Sequence, residues 1–282
     1  MSLKILVTIP HFYKYIPGSK YGSTIFQEPF QRINALGQCI ASLHQNLGKR
    51  QYCINVDNTA CRINESISSQ LDIVICTQGT HHVLNELALN KNYFHQMPCD
   101  IDPMYLGFEC RKVLRDNIGK YDYYCYLEDD LILHDPFYIK KIEWFTNCVG
   151  PLAVLQPNRF ERSFNLPADK CYIDYPHLEV GGAVTTVNAN YWGIDISFSS
   201  PPLAPHSGCY FLNQEQMEYW LSQPYFEEID TSYIGALESA ATQGILKTFQ
   251  LYKPAMTTAC FLEIEHYGDG YLGTVGEEIS II

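Results

Sequence analysis

Hydrophobic positions along the first half of the chain alternate between two rhythms. Lys4–Pro10 (KILVTIP) is a short run rich in β-branched residues and stopped by proline, which predicts a buried strand. After a polar, glycine-containing loop, Pro29 opens a segment with apolar residues at Ile33, Leu36, Ile40, Leu43 and Leu47. Those steps of three and four put them on one face of a helix, closed by Gly48 with Lys49 and Arg50 behind it. Tyr52–Val56 and Leu71–Thr77 (LDIVICT) read as two further strands. The second is apolar on both faces, as in the interior of a parallel sheet covered by helices. Residues from about Tyr105 to Ile118 predict a second helix with Cys110, Val113 and Leu114 inward, and Tyr121–Leu127 another strand.

Strand and helix alternating in this way predict an α/β fold with a mostly parallel sheet. Ligands of such sheets bind beyond the carboxyl ends of the strands. That rule points to His11, Phe12 and Tyr13 after the first strand, to Gln78, Gly79 and Thr80 after the third, and to Glu128, Asp129 and Asp130 after the fourth. From about Pro151 glycine, proline, serine and asparagine become frequent, which predicts long loops. Within them lie a short helix from Asn213 or Gln214 through Leu221, a second from near Thr231 to Thr242 ending at Gly244, and a strand over Ile245–Tyr252. No internal repeat or low-complexity tract interrupts the chain.

Charge narrows the partners. Of 282 residues, 31 are acidic and 19 basic, a formal charge of −12. That excess argues against binding nucleic acid by neutralising phosphates over a basic surface, and against docking on anionic lipid. A small phosphorylated ligand held through a metal ion stays open. The eleven cysteines are odd in number and form no CxxC pair. With an N-terminus unlike a signal peptide and no apolar stretch near the ~20 residues of a membrane span, they predict a soluble, reduced, cytoplasmic chain.

The most informative stretch is Tyr121-Asp-Tyr-Tyr-Cys-Tyr-Leu-Glu-Asp-Asp-Leu-Ile-Leu133. A hydrophobic strand running straight into three carboxylates concentrates negative charge at the ligand edge of the sheet. Three adjacent acids can be a solvated turn, one of them capping the next element. Their place after a buried strand favours a divalent cation instead, and hard oxygen ligands suit Mg²⁺ or Mn²⁺. No GxxxxGK[ST] phosphate loop and no GxSxG nucleophile elbow is present.

Several short motifs in order resemble the GT-A glycosyltransferases, which carry a DxD-type metal motif at this place. They are Tyr126-Leu127-Glu128-Asp129-Asp130, the preceding helix with Arg111, Lys112 and Arg115, Tyr121-Asp122-Tyr123, Ser207-Gly208-Cys209-Tyr210-Phe211-Leu212 running into a helix, Glu238 before Gly244, and a late His266. The resemblance spans roughly Lys4 to Tyr267. It implies a Rossmann-like GT-A fold, one domain in which residues 1–135 bind a nucleotide-sugar and residues 136–282, loop-rich, bind the acceptor.

Residue by residue, it implies Mn²⁺ or Mg²⁺ held by Glu128, Asp130 and His266, with Asp129 between the two acids beside the nucleotide. Glu in place of the first Asp departs from the family pattern, in which that acid more often meets the ribose, or the metal through water. Glu238 would take the acceptor's proton, as the acid at this point does in inverting relatives; an exposed helix glutamate is the alternative, and Asp230 competes as base or cap. His11 and Tyr13 would flank the base and ribose. Arg111 and Arg115, four apart on one helix face, would meet the diphosphate or simply face solvent, with Arg159 and Arg162 as alternatives. Trp192, Tyr210 and Trp220 would offer the acceptor sugar stacking surfaces.

The activity implied is metal-dependent transfer of a sugar, a hexosyl group, from a nucleoside-diphosphate sugar to a carbohydrate or other hydroxyl acceptor. A sugar nucleotidyltransferase is one alternative, although His-Phe-Tyr-Lys-Tyr-Ile-Pro-Gly after Pro10 lacks the glycine-rich phosphate loop such an enzyme needs. A non-catalytic nucleotide- or carbohydrate-binding protein on the same scaffold is the other.

Overall fold

Both faces of the first strand are buried, and the rest of the core is built around it. The computed structural model describes residues 2–19, 22–25, 27–163, 168–174, 185–200 and 204–275. The first half runs β1 (Lys4–His11), α1 (Gly22–Ile25), α2 (Phe30–Leu47), β2 (Tyr52–Ile54), β3 (Ala60–Arg62), β4 (Gln70–Gln78), β5 (His95–Cys99), α3 (Leu106–Asp116), β6 (Tyr123–Leu127) and β7 (Leu131–Ile132). The second runs α4 (Tyr138–Val149), β8 (Ala153–Leu155), β9 (Asn158–Arg162), β10 (Lys170–Tyr172), β11 (Thr185–Tyr191), β12 (Ile194–Ser200), β13 (Cys209–Asn213), α5 (Gln214–Leu221), α6 (Ala236–Thr248), β14 (Gln250–Pro254) and β15 (Glu263–His266).

The central sheet has the order β13-β6-β1-β4-β5. Its strands are parallel except for β13, which runs antiparallel to β6. The mixed α/β architecture read from the sequence is therefore what the chain forms. Alternate residues of β1 feed two cores: Ile5, Val7 and Ile9 pack with Leu36, Ile40 and Leu43 of α2, while Leu6 packs with Cys110, Val113 and Leu114 of α3. Each such side chain contributes about 1.5–3 kcal/mol by leaving water, so the covered strand anchors the sheet.

Three expectations need correction. The strand at Tyr52 ends at Ile54 and is one arm of an exposed hairpin with β3, outside the central sheet. The helix expected from Thr231 to Gly244 starts at Ala236 and runs through Gly244 to Thr248, so the strand behind it begins only at Gln250. The second half, expected to be loop-rich around two helices and one strand, is rich in short strands: they supply most of two four-stranded sheets, β10-β9-β15-β7 and β11-β12-β14-β8. Strands of three to seven residues separated by glycine and proline carry too little periodicity to stand out. One of them, β13, belongs to the central sheet, so residues from the second half complete the sheet of the first.

Candidate functional site

The acidic triplet leaves β6, a strand buried at every position. The Glu128 backbone N–H donates to the Gly208 carbonyl (2.9 Å), fixing the turn against the start of β13. Gly208 has φ +64°, and a Cβ there would stand 2.5 Å from Glu128 Oε2. Only glycine meets both demands.

Asp129 turns inward. One oxygen lies 2.5 Å from His11 Nδ1 and the other accepts a hydrogen bond from Arg32 Nη2. His11 Nε2 accepts the Val83 N–H (3.2 Å), so Nδ1 carries the ring proton and donates it to Asp129. Burial alone would raise the Asp129 pKa; Arg32 and His11 outweigh it and hold the group well below the ordinary carboxylate range. Arg32 Nη1 also lies 3.5 Å from Asp130 Oδ2. A guanidinium on α2 thus supplies part of the positive charge that the sequence assigned wholly to a metal ion. The apolar stripe of α2 gives no hint of Arg32, which lies one turn before Leu36 at the edge of that face and reads as a charge at the helix start.

Asp130 faces the other way. Its Oδ1 is buried without a hydrogen-bond partner, and its Oδ2 lies 4.0 Å from His266 Nε2. The Tyr267 N–H donates to the Asp130 carbonyl (2.8 Å), and β15 pairs with β7 so that His266 stands opposite Leu131. His266 Nδ1 lies 2.9 Å from Oε1 of the fully buried Glu161, whose Oε2 accepts the N–H groups of Tyr271 (2.9 Å) and Leu272 (2.7 Å). Burial would lower the His266 pKa, but the bond to Glu161 and the charge of Asp130 raise it.

Among the described residues no three His, Cys, Asp or Glu side chains form a closed metal cage. Hard divalent cations commonly take one or two protein groups and complete their shell with water and phosphate oxygens. A carboxylate with one unpartnered oxygen, its other oxygen 4.0 Å from an imidazole nitrogen, fits that partial set. Glu128, in charge reach of both, has its Oε1 facing His206 Nε2 at 3.7 Å. Burial and the neighbouring Asp130 push its pKa up to about 8, against the pull of Arg159 and His266.

Behind Glu128 lies a group of charges that the sequence did not single out. Asp174 accepts from Arg159 Nε (3.0 Å), from the Arg159 N–H (2.8 Å) and from the buried Lys253 Nζ (2.9 Å). Lys253 also donates to the His206 carbonyl (3.0 Å). Burial and the Arg159 charge push the His206 pKa down to about 3, so the imidazole facing Glu128 is neutral. Arg159, one of the two alternative cations of the sequence, is the arginine whose charge reaches Glu128, His206 and His266.

The remaining sequence candidates divide. Tyr13 stays at the carboxyl end of β1, its N–H on the His81 carbonyl (3.0 Å) and its hydroxyl on the Gln27 carbonyl (2.8 Å). The Phe12 ring lies 5.9 Å from that of His81, tying the loops after β1 and β4 together. Glu238 lies in the first turn of α6, half-buried, with no hydrogen bond or ion pair to any described residue, and its charge helps to raise the Glu128 pKa. Asp230 is committed elsewhere: it pairs with Lys247 (2.8 Å) and caps the Ser232 N–H (2.9 Å).

Arg111 and Arg115 are not brought to the site. Arg111 is buried among Phe108, Trp220 and Phe226 and donates to the Glu228 carbonyl (2.7 Å), while Arg115 pairs with Asp116 and Glu227 at the surface. Their shared face packs toward the Phe226–Glu228 turn instead. Tyr210 and Trp220 are core residues, each 1% exposed, so of the three aromatic candidates Trp192 alone offers an open ring. Gly268-Asp-Gly-Tyr-Leu-Gly273 spells G-x-G-x-x-G, but it leads into a three-residue 3-10 turn and lacks the strand–turn–helix setting of a dinucleotide site.

No protein-family model matches the sequence, and no curated protein does. Among solved structures the chain is similar to a crystal structure of GalNAc-T7 with UDP, GalNAc and Mn²⁺. The match has 10% identity and a TM-score of 0.49, covering 94% of this chain and 44% of that one, so the chain spans less than half the length of that structure. No helix among the described residues is long and apolar enough to cross a membrane.

Proposed function

We propose that the chain is a metal-dependent glycosyltransferase of the GT-A type, moving a hexosyl group from a nucleoside-diphosphate sugar to a carbohydrate or other hydroxyl acceptor. The observation that carries this reading is the Asp130 carboxylate beyond the carboxyl ends of parallel strands: its Oδ1 is unpartnered and its Oδ2 lies 4.0 Å from His266 Nε2. The two groups would hold Mn²⁺ or Mg²⁺, and that ion, when bound, would stabilise negative charge on the departing diphosphate.

The other residues take roles from their places. The loop of Phe12 and Tyr13 after β1 borders the base and ribose; His11, expected beside them, is instead the buried last residue of β1, with both ring nitrogens engaged by Asp129 and the Val83 N–H, and supports the loop from below. Arg159, charged and close to Glu128 and His266, meets the diphosphate in place of Arg111 and Arg115. Glu128, at the head of the same turn as Asp130, hydrogen-bonds a ribose hydroxyl. Glu238 takes the acceptor's hydroxyl proton onto its carboxylate as the acceptor oxygen bonds to the anomeric carbon and the bond to phosphate breaks. Residues 1–135 supply most of the donor side; residues 136–282 supply the acceptor side together with Arg159 and His266. Eleven free cysteines suit a reducing, cytoplasmic setting.

A second reading, a nucleotide-binding protein without transferase activity, draws on Arg32, which already balances part of the acidic charge. One experiment separates the two. Thermal shifts with nucleoside diphosphates, with and without Mn²⁺, should show a metal-dependent rise that Asp130→Asn abolishes, and sugar transfer or donor hydrolysis should accompany it. Binding without turnover favours the second reading; Asp130→Asn binding nucleotide as the parent does sinks the proposed cation site.

A further inference from the structure

We infer that Glu161 is a positioning residue for the cation site, fixing the tautomer of His266 that presents Nε2 to the ligand. The inference rests on the glycosyltransferase reading for the identity of that ligand. For the tautomer it rests only on hydrogen bonding.

Glu161 is fully buried on β9, which runs parallel to β15 with Phe160 opposite Glu265, so the register places the carboxylate beside His266. Its two oxygens receive three N–H groups, from His266 Nδ1, Tyr271 and Leu272. A carboxylate has no hydrogen to give, so the short contact to His266 requires the ring proton on Nδ1. A neutral imidazole has one N–H, and the lone pair therefore sits on Nε2, the atom 4.0 Å from Asp130 Oδ2. A carboxylate behind a metal-binding histidine orients the ring and sets its tautomer in this way.

An ordinary structural latch for the turn at Tyr271 and Leu272 would not need a charge. A buried carboxylate costs several kcal/mol unless its partners are well placed, and a glutamine oxygen would accept the same two backbone N–H groups. What glutamine would not do is accept from His266. With its oxygen on the backbone pair, its NH₂ faces Nδ1 as a donor, the ring proton moves to Nε2, and the lone pair turns away from Asp130.

The test uses the whole chain. Nitrogen NMR of His266 at about pH 8.5, where an imidazole is largely neutral, should show Nδ1–H in the parent and Nε2–H in Glu161→Gln. Titration with Mn²⁺ alone should then show affinity about 10–100-fold weaker in Glu161→Gln, while thermal stability without metal changes little. Glu161→Ala, which leaves both tautomers accessible, should lose less cation affinity than Glu161→Gln; a merely structural residue gives the opposite order. An unchanged tautomer and unchanged Mn²⁺ affinity in Glu161→Gln overturn the inference. A parent that binds no Mn²⁺ yet shows the tautomer exchange overturns the cation reading and leaves the hold of Glu161 on the ring standing.

Discussion

Two adjacent carboxylates, Glu128 and Asp129, share one turn and are driven in opposite directions. Around Asp129 a guanidinium and an imidazole N–H beat desolvation; around Glu128 desolvation and the Asp130 charge beat the more distant Arg159. Environments that split neighbouring pKa values give equivalent groups different roles. Removing the guanidinium should therefore be expensive. Arg32→Ala leaves Asp129 buried with His11 alone, and urea denaturation at neutral pH should show a loss of about 3–5 kcal/mol, with Arg32→Lys milder.

Glu128 makes a pH prediction of opposite sign to ordinary acid lability. Its folded pKa lies above the free value of 4.5, so between that value and about pH 8 the folded chain binds more protons than the unfolded one. The stability it contributes is complete below the free value and declines as pH rises, by at most about 1.4 kcal/mol per unit. Because 22% of the side chain still reaches solvent, the decline stays below that limit. Denaturation in metal-free buffer at several pH values should show the parent losing stability relative to Glu128→Gln as pH climbs from 5 to 8; parallel profiles refute it.

Elements formed where local pattern and tertiary packing agree. β1, α2, β4, α3 and β6 were legible because each shows a clean period or an unbroken apolar run. The start of α6 was not, since Gly235 caps it without a side chain and Thr231 and Ser232 look like better caps. Its end is masked by Gly244, which has the sequence signature of a terminating glycine but serves packing: a Cβ there would lie 2.3 Å from the buried Trp220 ring. Helix propensity alone makes Gly244→Ala stabilising by about 1 kcal/mol. Overpacking against a rigid indole costs about 1–3 kcal/mol, and so close an approach to a buried ring puts this substitution at the costly end. The thermal midpoint of Gly244→Ala should fall; a rise would mean that Trp220 moves freely.

At the scale of the whole molecule, the acidic triplet could be singled out because it follows a buried strand, and His266 only through the resemblance of the ordered motifs to a known family. Arg32, Glu161, Asp174 and Lys253 could not, since each looks like a surface charge until the sheets bring it inward. The four lie on α2, on β9, just after β10 and on β14, and no spacing along the chain connects them. The acidity of the chain, formal charge −12, reads differently at this scale: in the triplet it is matched locally by guanidinium and imidazole, leaving Asp130 as the acid with an open oxygen.

The place of β15 has a consequence for the order of assembly. Asp130 and Glu161 leave the ribosome well before His266, which docks between β7 and β9 only when residues 263–266 arrive. Pairings of such long sequence separation form late. A growing chain can therefore complete its parallel sheet around β1 while the Asp130 carboxylate still lacks its histidine. On the proposed cation site, the pair of Asp130 and His266 is therefore complete only once β15 has docked between β7 and β9.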